Sequence, residues 1–382
     1  MRKESGRASA LWLLGFASAS LALACSTTTG GTSSGSAAGE DGGTGPGSDT
    51  DAGDPKISAC RGRSFDAPSD WSIPMPAAGT SWQQGYERYT LIDIHGDGKP
   101  DLVVTGTEKD TTLGKTKWLV FKNNGTSFEN TPETWTLPMP AAGTSWQQGY
   151  ERYTLIDIHG DGKPDLVITG TEKDTTVGKT KWLVFKNNGT SFESTPETWT
   201  LPMPAAGTSW QQGYERYTLI DIHGDGKPDL VITGTEKDKT LGDTKWLVFK
   251  NNGSSFETSA ETWALPAKAP GTSWLMGSDR YALVDIHGDG KPDLVITGKT
   301  GDETLGQDHW DVYVNSGTAF EKNSETWPLA RPAASVAWYT GDTRYALTDI
   351  HGDKRPDLVF TGLPNESDVG ETKWIVQTNK CE

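Results

Sequence analysis

Cysteine is nearly absent: in 382 residues only Cys25, Cys60 and Cys381 occur. Three thiols leave room for one disulfide at most, so a packed core must hold the fold. Long apolar runs are missing too. The main one, within residues 1–24, is too short and too rich in Ala and Ser for a good membrane span. No stretch carries a convincing 3.6-residue apolar period, which argues against helices as the building blocks. Basic residues are in deficit, 35 Lys and Arg against 51 Asp and Glu, for a net charge of −16. The first 24 residues carry +2 (Arg2, Lys3 and Arg7 against Glu4), so the remainder carries −18. That charge argues against nucleic acid and anionic lipid as partners and suits the binding of cations. Catalytic signatures are lacking as well. There is no G-x-S-x-G, no H-E-x-x-H and no cysteine set up as a nucleophile. Five of the six histidines belong to one repeated loop and His309 stands alone. No catalytic residue is expected, and the chain reads as a binding protein rather than an enzyme.

What is present begins with a leader. A basic start and an apolar core over residues 1–24 lead to Leu21-Ala22-Leu23-Ala24-Cys25, the form of a secretory signal. The run into Cys25 resembles a bacterial lipobox, although Ala22 stands where Leu is commonest. The resemblance implies acylation of Cys25 and a lipid-anchored protein at the bacterial outer membrane or cell surface. Residues 25–55 are almost all Ser, Thr, Gly, Ala and Asp after the cysteine. Such a segment cannot bury a core; as a flexible tether it reaches roughly 30 Å. Residues 56–382 form the remaining domain.

That domain repeats. DIHGDGKPDL begins at Asp93, Asp157, Asp221 and Asp285, and returns as DIHGDKRPDL at Asp349, always 64 residues on. Trp keeps the same clock, three to a unit, from Trp71, Trp82 and Trp118 to Trp327, Trp338 and Trp374. Each unit reads as four short strands, at 88–94, 101–107, 117–123 and 127–135 in the first, separated by Gly, Pro, Asn and Asp turn signals. Four strands at this period predict one blade of a β-propeller. The fold class is therefore all-β: a five-bladed β-propeller with one 64-residue repeat per blade. The last unit stops after its third strand, and residues 63–71 (RSFDAPSDW) mirror 126–135 (TSFENTPETW). The N-terminal strand is thus expected to complete the last blade and close the ring. On the same alignment Cys60 and Cys381 fall at one hairpin of the shared blade. A disulfide there should stabilise by about 3–5 kcal/mol. Mass spectrometry of the unreduced protein should find the two peptides joined, and two free thiols would refute the pairing.

The unit, in IDIHGDGKPDLVVTG and the following WLVFKNNGTSF, resembles the FG-GAP or VCBS repeat of integrin-α-like propellers over about residues 57–382. The resemblance implies a Ca²⁺ loop of the form D-x-[DN]-x-D-G-x-x-D between the first two strands of a blade. Carried over by position, the side chains of Asp93, Asp97 and Asp101 and the backbone carbonyl of Lys99 would be ligands. So would Asp157, Asp161, Lys163 and Asp165; Asp221, Asp225, Lys227 and Asp229; and Asp285, Asp289, Lys291 and Asp293. Hard carboxylate oxygens on a tight loop suit Ca²⁺. Position three departs from the pattern: it is His95, His159, His223, His287 and His351 in the five copies. Imidazole is a poor Ca²⁺ ligand and a good one for Zn²⁺, Ni²⁺ or Cu²⁺. Three alternatives stay open: Ca²⁺, a metal-free loop held by Asp-to-backbone bonds, and a transition metal. The fifth loop is the worst candidate, since Lys354 replaces the turn glycine at a cost of about 1 kcal/mol.

Candidate binding residues sit in the connection from strand four to the next strand one, PMPAAGTSWQQGYER. They are Trp82, Gln83, Gln84, Tyr86, Glu87 and Arg88, with copies Trp146, Gln147, Gln148, Tyr150, Glu151 and Arg152, and Trp210, Gln211, Gln212, Tyr214, Glu215 and Arg216. Aromatic faces beside amide, carboxylate and guanidinium groups suit sugar recognition. Trp82 and Arg88 have equivalents in all five units and read mainly as structural. The polar set changes in unit four (Leu275, Met276, Ser278, Asp279) and in unit five (Tyr339, Thr340, Asp342, Thr343). The expected partner is a glycan or a surface protein, met by a monomer that touches membrane only through its lipid. Some propellers of the family are lectins and some polysaccharide lyases use related propellers, so lectin-like binding ranks first, a protein-binding or adhesive scaffold second, and a polysaccharide-acting enzyme last.

Overall fold

The computed structural model describes residues 64–74, 89–106, 110, 112–138, 153–171, 174–202, 217–234, 238, 240–266, 281–298, 304–329, 345–363 and 366–380. Strand β1 (Ser69–Ser72) comes first. The first blade holds β2 (Tyr89–Ile92), β3 (Asp101–Val104), β4 (Lys117–Phe121) and β5 (Glu133–Thr136). The second holds β6 to β9 (Tyr153–Ile156, Asp165–Ile168, Lys181–Phe185, Glu197–Thr200) and the third β10 to β13 (Tyr217–Ile220, Asp229–Ile232, Lys245–Phe249, Glu261–Ala264). The fourth holds β14 to β17 (Tyr281–Val284, Asp293–Ile296, His309–Tyr313, Glu325–Pro328), and the chain ends with β18 to β20 (Tyr345–Thr348, Asp357–Phe360, Lys373–Gln377). All pairings are antiparallel, in five four-stranded sheets, as a β-propeller requires.

The fifth sheet has the order β1-β20-β19-β18. The N-terminal strand therefore completes the last blade, as the repeat predicts, and Trp71 pairs with Trp374 as Trp135 pairs with Trp118. Upstream of β1, Lys380 N–H donates to the Ser64 carbonyl (2.9 Å) and Asp66 N–H to that of Thr378 (2.8 Å). Cys25, Cys60 and Cys381 lie outside the described residues, although Lys380 directly precedes Cys381. The strands are shorter than the sequence suggests, above all the fourth. In the first blade Phe128 makes only a bridge to Asn123, and the strand proper starts at Glu133. The reason is local. Asn124 Oδ1 accepts from the N–H groups of Thr126 and Ser127 (both 3.0 Å), closing a tight turn that the ladder must leave before it can resume.

The core lies between blades. The second strand of each blade is buried along its whole length, because neighbours cover both of its faces. Four of the five seams share a Trp–Tyr and Trp–Phe arrangement, and between the fourth and fifth blades Trp310 meets Phe65 edge-on (6.2 Å). Trp118 stacks on Tyr153 of the next blade (6.3 Å between centroids) and meets Phe192 edge-on (5.9 Å). At the closing seam Trp374 stacks on Tyr89 (6.2 Å), while Trp71 and Trp374 both meet Phe128 edge-on. Polar bonds follow the same course. The buried Asn187 donates to the carbonyl of Ile94 one blade back (2.8 Å), as Asn251 does to Ile158, Asn315 to Ile222 and Asn379 to Ile286. Asn123 donates to Ile350 (2.8 Å) and so joins the first blade to the fifth.

Candidate functional site

Within each blade the loop from strand one to strand two lies beside the hairpin from strand three to strand four. In the first, the Asn123 side chain donates to the Pro100 carbonyl (3.1 Å), and its backbone N–H donates to Asp101 Oδ1 (2.9 Å). Neighbouring loops also touch. Gly96 has φ +75, and a Cβ there would stand 2.7 Å from Lys163 Cγ and 2.8 Å from the Gly162 carbonyl of the next blade. Only glycine tolerates both that φ and that approach. The five loops thus form a continuous girdle on one face of the ring.

Asp93 organises its loop. Oδ1 accepts from the N–H groups of Gly96 (2.8 Å) and Asp97 (3.0 Å), and Oδ2 from that of Gly98 (2.7 Å). Burial pushes its pKa up to about 6, and the N–H donors of Gly98 and Asp97 only partly offset this. Asp97 Oδ1 accepts from Lys99 N–H (3.2 Å), and Oδ2 pairs with Lys122 Nζ (3.2 Å). His95 Nδ1 donates to Oδ2 of the buried Asp101 at 2.7 Å. That bond raises the imidazole pKa above its ordinary value, against the effect of burial. On the other side of the ring stands a carboxylate of strand four: Glu133 at 3.4 Å from His95 Nε2, and Glu197, Glu261 and Glu325 beside His159, His223 and His287. Burial lowers the pKa of His287, but its bonds to Asp293 and Glu325 outweigh this and push it up to about 10. Each of these imidazoles also meets a strand-four Trp edge-on, as His95 meets Trp135 at 5.4 Å.

The fifth loop is a variant. Ser69 stands where the other blades carry the glutamate, and the His351 side chain is 30% exposed against 12% for His95. Among the described residues Lys354 is the non-glycine residue with positive φ (71°), as its place in the turn predicts. Its N–H still donates to Asp349 (2.7 Å), so the loop keeps its form.

These contacts bear on the expected metal ligands. Asp93, Asp97 and Asp101 do lie in one loop, and each of their oxygens has a donor of the protein. Among the described residues no group of three or more His, Cys, Asp and Glu could hold a metal ion. Where the resemblance places a third ligand, the position-three imidazole lies against the position-nine carboxylate through Nδ1 and faces Glu133 with Nε2 (3.4 Å). Glu133, Lys122 and Asn123 complete the arrangement, and the sequence reading missed them. They do recur at 64 residues, as Glu197, Lys186 and Asn187, but sit just after strand three or on strand four, distant from the loop in sequence.

The candidate glycan residues Trp82 to Arg88, Trp146 to Arg152 and Trp210 to Arg216 lie outside the described residues. Their flanks are described. Each connection leaves strand four after Pro74, Pro138 or Pro202 and enters strand one at Tyr89, Tyr153 or Tyr217. Because the strands are antiparallel, those entries are at the end of the blade opposite the His–Asp girdle.

No curated protein matches the chain. Among solved structures, the Photorhabdus luminescens Tc holotoxin pore matches at 16% identity over 82% of this chain, with a TM-score of 0.42. This chain spans 15% of the length of that one. An Agrocybe aegerita lectin, solved for its specific recognition of non-reducing terminal N-acetylglucosamine, matches at 17% identity over 85% of this chain and 97% of its own, with a TM-score of 0.40. The FG-GAP-like repeat profile matches residues 93–168, 157–232 and 221–296, together more than half of the sequence. With three consecutive matched repeats and five blades of one design, the chain belongs to the FG-GAP-like repeat family.

Proposed function

We propose that this chain is a non-catalytic binding propeller, displayed at the cell surface through a lipid on Cys25, whose strand-four-to-strand-one connections recognise glycans. The observation that carries the reading is the threefold copy of Trp-Gln-Gln-Gly-Tyr-Glu-Arg, at 82–88, 146–152 and 210–216. Three like sites on consecutive blades of a rigid ring multiply a weak affinity by avidity. A second reading, a protein-binding scaffold, is favoured on the arc of unit four, where Leu275 and Met276 replace the two glutamines.

On a glycan array the protein should give hits that free sugar competes away. Replacing Gln147, Tyr150 and Glu151 together by Ala should weaken them on the order of 10-fold or more through lost avidity. Binding to a surface protein that sugar does not displace, with a blank array, would move the assignment to the scaffold. In the same strain Cys25→Ser should release the protein from the membrane fraction or leave it unprocessed; unchanged fractionation and processing would count against the anchor.

A further inference from the structure

We infer that the five girdle loops are closed by donors of the protein itself in place of calcium, with a histidine N–H and a lysine or arginine cation standing where the family's loop implies a bound ion. The inference is independent of the glycan reading. It rests on a complete account of the carboxylate oxygens.

In the second blade Asp157 accepts from the N–H groups of Asp161 and Gly162, one at each oxygen. Asp161 accepts from Lys163 N–H on Oδ1 and pairs with Lys186 Nζ on Oδ2 (3.1 Å). Asp165 accepts from Asn187 N–H on Oδ1 (2.8 Å) and from His159 Nδ1 on Oδ2 (2.6 Å). All six oxygens have a donor, and the other four loops repeat the pattern. A Ca²⁺ ion needs six to eight oxygen ligands. Here it would have to break the His159–Asp165 bond and displace the Lys186 cation to reach the inward carboxylates. Isolated carboxylates in a tight loop repel one another and attract a divalent ion; these are each neutralised or hydrogen-bonded already.

The five copies carry a compensation that supports the same conclusion. In the first three blades the cation on the middle aspartate comes from the residue after strand three: Lys122, Lys186 and Lys250. The fourth and fifth blades have Val314 and Thr378 there. In each of them the loop supplies its own cation: Lys291 Nζ is 3.2 Å from Asp289, and an Arg355 guanidinium nitrogen is 3.1 Å from Asp353. The middle carboxylate is thus paired in all five loops by two routes. A metal ligand would not need that pairing and would be opposed by it.

The test uses the full chain, stripped with chelator and then dialysed against CaCl₂ or ZnCl₂ at fixed pH, with bound metal measured by mass spectrometry and melting followed by calorimetry. The expected result is less than about one Ca²⁺ per chain and a melting temperature that differs by no more than about 1 °C between chelator and millimolar Ca²⁺, since a ligand that does not bind the folded state cannot stabilise it. Uptake near five Ca²⁺ per chain, or a calcium-dependent rise of several degrees, would overturn the inference. Stoichiometric Zn²⁺ uptake with a comparable rise would overturn it too, because the imidazoles would then be ligands rather than partners of the aspartates.

Discussion

Trp71→Ala is expected to lower the stability of the propeller by about 3–5 kcal/mol, the usual cost of emptying a buried aromatic site. Trp71 is 4% exposed and contributes to the core that joins the fifth blade to the first. Its ring meets Phe128 of the first blade edge-on at 6.1 Å and His351 of its own blade at 5.3 Å. The contact with His351 spans most of the chain in sequence, because β1 is the strand that closes the ring. The loss therefore falls where the propeller is held together without a peptide link. Ser72→Ala, one residue on and exposed, should stay within about 0.5 kcal/mol. Denaturant titration of both variants with an unchanged slope reads the difference. A Trp71→Ala protein within 1 kcal/mol of the parent, roughly a fivefold change in the folding equilibrium, would show that β1 contributes little to closure.

The second large effect is expected at Asn187→Ala, about 3 kcal/mol or more. The side chain is buried and donates to the carbonyls of Ile94 (2.8 Å) and Pro164 (3.0 Å), while its Oδ1 accepts from Gly189 N–H (2.8 Å). Alanine leaves three backbone groups without this partner, two of them in a seam that water reaches poorly, and each unmade buried bond costs about 1–3 kcal/mol. The neighbouring Asn188 accepts only from exposed turn groups of Thr190 and Ser191. Asn188→Ala should cost about 1 kcal/mol or less, because water replaces those bonds. Equal losses for the two would mean that the inter-blade bond is not a determinant of the seam. The cavity left at position 187 is small, so loss of packing would not account for the larger value.

Much of this architecture was legible in the sequence because it is written in a period. Sixty-four residues, four alternating segments and a missing last strand determine five blades and their closure, since a strand without its blade has one place to go. The turn at Lys354 was legible for the same reason: the copies identify the position that needs positive φ, and the structure has it at 71°. What the period does not carry is which residues of different strands meet. The loop motif read alone suggests a cation site, because a run of aspartates repels itself until something neutralises it. That Asp101 is answered by His95 and Asn123, and Asp97 by Lys122, depends on strand three and its hairpin folding back over the loop. The interlock of Gly96 with the Gly162 carbonyl of the next blade is equally invisible along the chain. By itself the sequence determined the repeat, the ring and its closing strand, because local strand and turn preferences recur at fixed spacing. Only the tertiary structure decided what neutralises the aspartates, because a carboxylate's partner is set by distance across strands and not by spacing along one.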